Sequence, residues 1–172
     1  MLFFAFSRAH AGAGDAATGL VEEHWAYTDR FADRMIARGP VLGADREAWM
    51  GSLHVLDLPD AVAAREFVAA EPFNRAGLFA EHLICRFADR LGRTMWDFRG
   101  GADQPRFLVI SRHELVPPPE RFVILHGDLL SPDDATPAGS ALAVQVPARE
   151  SLADLVGEDD VDIHDWDFGG RR

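Results

Sequence analysis

Residues 2–7, LFFAFS, form a short and nearly continuous apolar run, the pattern of a strand covered on both faces. Residues 8–19 are rich in Ala and Gly and read as a loop. From Leu20 the period changes: Tyr27, Phe31 and Met35 recur every four residues with Ala32 and Ile36 beside them, which predicts a helix. Gly39-Pro40 is expected to stop it, because glycine suits a left-handed cap and proline cannot continue a helix. Val41-Leu42 then reads as a brief strand and residues 49–57 as a longer one. Pro59-Asp60 opens a second helix over AVAAREFVAA, whose alanines favour helix strongly, and residues 81–87 make a last strand. Strand, helix, strand, strand, helix, strand is the order of a ferredoxin-like α+β unit, βαββαβ. Its single sheet carries both helices on one face and leaves the other face apolar, in need of a cover.

The second half echoes the first in the same order. Phe4-Ala5-Phe6-Ser7-Arg8 is matched by Leu108-Val109-Ile110-Ser111-Arg112, and Gly39-Pro40-Val41-Leu42 by Gly127-Asp128-Leu129-Leu130. Gly51-Ser52-Leu53 is matched by Gly139-Ser140-Ala141, the helix AVAAREFVAA by residues 148–156, and the last strand by residues 161–168. A degenerate tandem duplication accounts for this order. Pro117-Pro118-Pro119 replaces the turns that carry His24 in the first copy. The expected organisation is a unit over residues 1–92, a linker over 93–105 and a worn second unit over 106–172. Two such units can cover each other's sheet faces, making a dimeric α/β barrel within one chain, a pseudo-dimer that still leaves room for a homodimer.

Composition narrows the partners. Of 172 residues, 48% are hydrophobic, enough for a packed core, so wholesale disorder is not expected. Seventeen Lys and Arg against 28 Asp and Glu leave a charge of −11, which argues against a nucleic acid or an anionic membrane as partner. No segment approaches the length of a membrane span, MLFFAF lacks the basic start of a signal peptide, and the expected location is the cytoplasm. The single cysteine, Cys85, excludes an internal disulfide and a cysteine-cluster zinc site, and its apolar setting suits a buried spectator thiol. The acidic stretch over residues 157–167 reads as a solvated rim.

Two residues stand out chemically. His24 lies near the start of the first helix in VEEHWAY, and Glu71 lies just past the second helix in AEPFNRAGLF. A carboxylate that accepts the proton of one imidazole nitrogen makes the other a better base. Pro72 would hold the backbone at Glu71 extended, and the segment could fold back towards His24 over the uncovered sheet face. Asn74 and Arg75 could orient an anionic or carbonyl group of a ligand, with Arg8 as a further cation. The bland reading of Glu71 is a surface charge at a helix end, and that of His24 a satisfied histidine. No other histidine has metal-ligand spacing, no phosphate loop follows Gly12-Ala13-Gly14, and Ser7, Ser52 and Ser111 lack a nucleophile elbow. No metal and no cofactor are expected.

The FFAF strand with Arg8, the helix EEHWAYTDRF, Gly39-Pro40, Gly51-Ser52-Leu53 and above all AAEPFNRAGLF with HLICRF resemble the YCII-related (YciI-like) family of the dimeric α/β-barrel superfamily, over roughly residues 1–90. The resemblance implies a His and carboxylate catalytic dyad in a cleft, carried over to His24 and, where the family usually has aspartate, to Glu71. It implies lyase-type chemistry in some relatives. The ligand-binding set expected here is Arg8, Gly39, Pro40, Ser52, Phe73, Asn74 and Arg75. The expected function is a cofactor-independent lyase or isomerase acting on a small acidic or aromatic molecule. The alternative is a non-catalytic small-ligand-binding or accessory protein.

Overall fold

The apolar N-terminal run becomes β1 (Leu2–Ala9), which lies between β3 (Trp49–Asp57) and β4 (Phe79–Asp89), antiparallel to both. In the computed structural model, which describes residues 1–101, 104–152 and 161–170, β2 (Met35–Leu42) continues this sheet beyond β3. The second half repeats the arrangement. There β5 (Arg106–Ser111) lies between β7 (Pro137–Gln145) and β8 (Val161–Trp166), and β6 (Val123–Leu130) lies beyond β7. Two seams, β4 with β6 and β2 with β8, close the eight strands into one antiparallel barrel in the order β1-β3-β2-β8-β5-β7-β6-β4. The fold is a mixed α/β fold around a closed eight-stranded barrel.

Strand alternation decides what each face does. Phe4, Phe6, Leu53, Val55 and Phe87 from the first half meet Leu108, Leu129 and Trp166 from the second inside the barrel. The opposite face of the first half packs Phe3 and Leu56 beneath α2 (Val21–Thr28) and α3 (Ala61–Ala70) through Tyr27, Phe67 and Val68. On the outer face of the second half, Phe107, Val109, Leu142 and Val144 are covered by Leu115 and Leu152 from a loop and a short 3-10 turn, Arg149–Leu152. The rest of the helix expected at 148–156 and the start of the acidic stretch lie outside the described residues. Cys85 is buried inside the barrel, and burial pushes its thiol up to about 11, as suits a spectator.

Several local expectations need correction. The loop over 8–19 gives its first residues to β1 and contains a short helix, α1 (Gly14–Thr18). The helix from Leu20 ends at Thr28 and passes into a 3-10 segment, Asp29–Arg34, while Met35 already belongs to β2. The four-residue spacing of Tyr27 and Phe31 was a true contact, with ring centroids 5.5 Å apart, but it did not extend to a third turn. Gly39 and Pro40 do not cap a helix; they sit inside β2, opposite Leu53 and Ser52. A Cβ on Gly39 would lie 1.8 Å from the Asp167 carbonyl oxygen, so only glycine lets the chain after β8 pass this close. Pro40 is tolerated because the ladder there uses only its carbonyl, which accepts from the Asp167 N–H at 3.2 Å. The 93–105 connection is not a bare tether: Met95 is buried with the barrel residues, and its sulfur accepts from the Arg38 N–H at 3.2 Å. Among the described residues no helix is long and apolar enough to cross a membrane.

Candidate functional site

The second helix is well specified by its ends. The Asp60 side chain caps α3 by accepting from the Ala63 N–H at 2.9 Å. Pro72 disfavours helical geometry at Glu71, which is extended at φ −65° and ψ 132°. A further short helix, α4 (Pro72–Arg75), then starts at once, with Pro72 in its first turn. Glu71 caps it: Oε2 accepts from the Asn74 N–H at 3.0 Å. That leaves Oε1 to accept from His24 Nδ1, 2.5 Å away. Glu71 is 3% exposed, so this is a buried contact and not a surface charge. The Tyr27 hydroxyl donates to the Phe67 carbonyl at 2.8 Å and ties α2 to α3, which keeps His24 over the end of α3.

With Nδ1–H given to Glu71, the His24 ring keeps the lone pair of Nε2 for a ligand. The ring lies flat against Phe73, with centroids 4.4 Å apart and planes 7° apart, so it cannot rotate freely. Val21, His24, Trp25 and Thr28 have the i, i+3, i+4, i+7 spacing of one helix face, and all four line a cavity of about 340 Å³. Ser52 and His54 of β3 and Arg38 of β2 also line it. These strand residues share the helix-bearing face, so the site lies under the helices and not over the opposite face, which the barrel interior occupies.

His54 is buried at the cavity wall, its ring 5.6 Å from that of His24 and edge-on to Phe67. Burial, then the nearby His24 and Arg38, hold its pKa well below 6.5, so it is a neutral ring that can donate or accept one hydrogen bond. Arg38 is anchored by Asp29 at 2.9 Å and by the Thr28 hydroxyl at 3.3 Å. The last side of the cavity comes from the other half of the chain. Phe168, Gly169 and Gly170 follow β8 and run along β2, where the Gly169 N–H donates to the Arg38 carbonyl at 3.0 Å.

The residues singled out in the sequence divide into three groups. His24, Gly39, Pro40, Ser52 and Phe73 line the one cavity, with Glu71 directly behind His24. Asn74 does not line it, but its N–H holds Glu71, and its Oδ1 accepts from His82 Nε2 at 2.9 Å. Arg8 and Arg75 are not among the lining residues. Arg75 is exposed at the end of α4, and Arg8 sits at the barrel mouth, paired with Glu81 at 2.7 Å. Sequence reading missed Arg38, His54 and Trp49. A charged or imidazole side chain inside the apolar strands MIARGPVL and GSLHVLD was the available signal for the first two. Nothing local marks Phe168, Gly169 and Gly170. Among the described residues no group of three His, Cys, Asp or Glu side chains is placed to hold a metal ion.

Residues 1–88 match the model of the YCII-related domain. No curated protein sequence matches the chain. Among solved structures, 5-chloro-2-hydroxyhydroquinone dehydrochlorinase from Burkholderia phenoliruptrix, in complex with 2,5-dihydroxybenzoquinone, is 28% identical. The match covers 50% of this chain and 92% of that one, with a TM-score of 0.48. A chlorite dismutase-like protein aligns over 97% of this chain and 95% of its own, at 10% identity and a TM-score of 0.55. An anthrone oxidase-like protein aligns over 99% and 91%, at 12% identity and a TM-score of 0.53. The last two share the fold and little of the sequence. The family model spans just over half of the chain and includes His24 and Glu71, and so the chain belongs to the YCII-related family.

Proposed function

We propose that this protein is a cofactor-independent enzyme of lyase or isomerase type in which His24 removes a proton from a small substrate and Glu71 holds the imidazole in its basic tautomer. The observation that carries the reading is the 2.5 Å contact between Glu71 Oε1 and His24 Nδ1, beside a cavity that leaves Nε2 available. In the reaction, Nε2 takes the proton from a C–H or O–H group next to a carbonyl. Negative charge then develops on the carbonyl oxygen, and the same imidazolium returns the proton elsewhere or a leaving group departs. His54 and Ser52 are the neutral donors within the cavity for that developing charge, and Arg38 the cation.

The walls suit a flat ring. Phe73, Trp49, Trp25 and Phe168 give aromatic faces, and about 340 Å³ lies at the small end of ligand cavities. We place the substrate among small acidic or aromatic molecules and the protein in the cytoplasm. The domain reading belongs to the same proposal: a tandem duplication with units over 1–92 and 106–172, supported by the identical strand order of the two halves.

The test is solvent exchange in D₂O. A panel of small acidic aromatic and dienoic compounds is followed by proton NMR with the parent protein and with His24→Asn. Catalysed loss of a substrate C–H signal is expected, slowed about 10²–10⁴-fold in the variant. Exchange that His24→Asn leaves unchanged would overturn the reading. So would ligand-induced shifts at Phe73 with no exchange for any compound, which would favour the non-catalytic binding or accessory protein.

A further inference from the structure

A second cavity lies elsewhere, at one mouth of the barrel. Inward-pointing side chains fill the barrel through its middle, from Phe4 and Leu53 across to Leu108 and Trp166. Where β1 and β5 end, the filling stops and leaves a cavity of about 580 Å³. Its inner wall is apolar: Phe6, Leu83, Ile110 and Leu129. Its rim is charged, with Arg8, Glu81, Arg112 and Asp162. Both halves contribute alike, since Phe6 and Arg8 of the first correspond to Ile110 and Arg112 of the second.

The charges are not evenly spent. Arg8 faces Glu81 at 2.7 Å and Asp162 at 3.7 Å, so two carboxylates share one guanidinium. Arg112 is exposed and makes no ion pair among the described residues. Deeper in, the His164 ring lies 5.0 Å from Phe6, and its buried Nε2 has no hydrogen-bond partner among the described residues. Burial, chiefly, keeps that ring's pKa below 6.5, so it is a neutral donor or acceptor at neutral pH.

We propose that the barrel mouth is a second binding site, for a small monoanion with an apolar body, such as a carboxylate on a short chain or ring. The body replaces water against Phe6, Leu83, Ile110 and Leu129. The anion meets Arg112, the rim cation that forms no ion pair among the described residues. A dianion is disfavoured, because Glu81 and Asp162 already balance the two rim arginines and would repel a second negative charge. A neutral amphiphile keeps the apolar contacts and loses the ion pair. The inference does not depend on the chemistry assigned to His24.

Octanoate and octanol are the probes, titrated into the full chain and followed by ¹H–¹³C NMR. Saturable octanoate shifts are expected at Phe6, Leu83 and Ile110, with octanol about tenfold weaker or worse. Arg112→Gln, a change at an exposed side chain, should weaken octanoate about tenfold and leave octanol as it was. In His24→Asn, octanoate binding should be unchanged, which separates this site from the other cavity. Shifts centred on His24 and Phe73, equal affinity for the two probes, or no response to Arg112→Gln would each overturn the proposal.

Discussion

One side chain does two jobs at the candidate site. Glu71 caps α4 with one carboxylate oxygen and holds His24 with the other, so helix geometry and imidazole tautomer are set together. The longer arm of glutamate, where the family usually has aspartate, does not prevent the contact. His54 sets a second residue-scale consequence, because its folded pKa is held well below 6.5 by burial. His126 and His164 are shifted the same way, with burial the largest cause of each. Between the depressed values and about 6.5 the unfolded chain binds protons that the folded chain refuses. Stability is therefore fully present above about pH 6.5 and is lost as pH falls below it. The urea midpoint should drop on going from about pH 7.5 to 5.5, and His54→Gln should flatten part of that slope. A midpoint that rises on acidification would show that these rings are not enclosed as described.

At the scale of elements, α4 is a four-residue helix whose position decides whether Glu71 reaches His24. It is held from the sheet as well as from α3. Asn74 Oδ1 accepts from His82 Nε2 at 2.9 Å, and the Ser7 hydroxyl lies 2.9 Å from His82 Nδ1. A single polar thread thus runs from β1 through β4 to the residue that fixes the imidazole. His82→Ala should loosen α4 and broaden the downfield Nδ1 proton of His24 in the NMR spectrum. Under the proposed proton-transfer chemistry it should also cost up to about 10²-fold in turnover, since small displacements at a reacting group are expensive. His82→Gln, which can still donate to Asn74, should restore much of both. A sharp, unmoved His24 proton in His82→Ala would mean that the thread does not position the site.

The elements that were legible in the sequence are those with local signals. α3 opens after Pro59-Asp60, has an alanine-rich body and is followed by a proline that keeps Glu71 extended, all as read. β2 was misread because Gly39-Pro40 is a helix stop by every local criterion. Its real cause is 128 residues away in the chain, where Asp167 presses against Gly39.

For the whole molecule, the barrel interior belongs to neither half. Phe4, Leu53 and Phe87 have no cover without Leu108, Leu129 and Trp166. A fragment of residues 1–92 should therefore not remain a folded monomer but pair with a second copy across the same sheet face. Size-exclusion chromatography with light scattering measures this, and a folded, monomeric fragment would contradict it. The second half also closes the His24 cavity with Phe168, Gly169 and Gly170, so it is part of the site and not only its support.

What the sequence determined by itself was whatever short-range chemistry encodes: the apolar strand runs, the caps of α3, the extended backbone at Glu71 and the family of the first unit. Each depends on residues within a few positions of one another, where φ/ψ preference and periodicity act. What only the tertiary structure decided was which face carries the site, that Arg38 and His54 line it, and that Arg8 stands at the barrel mouth. Those follow from strand pairing and from the closing of the barrel, where residues meet across more than a hundred positions and no local preference records the meeting.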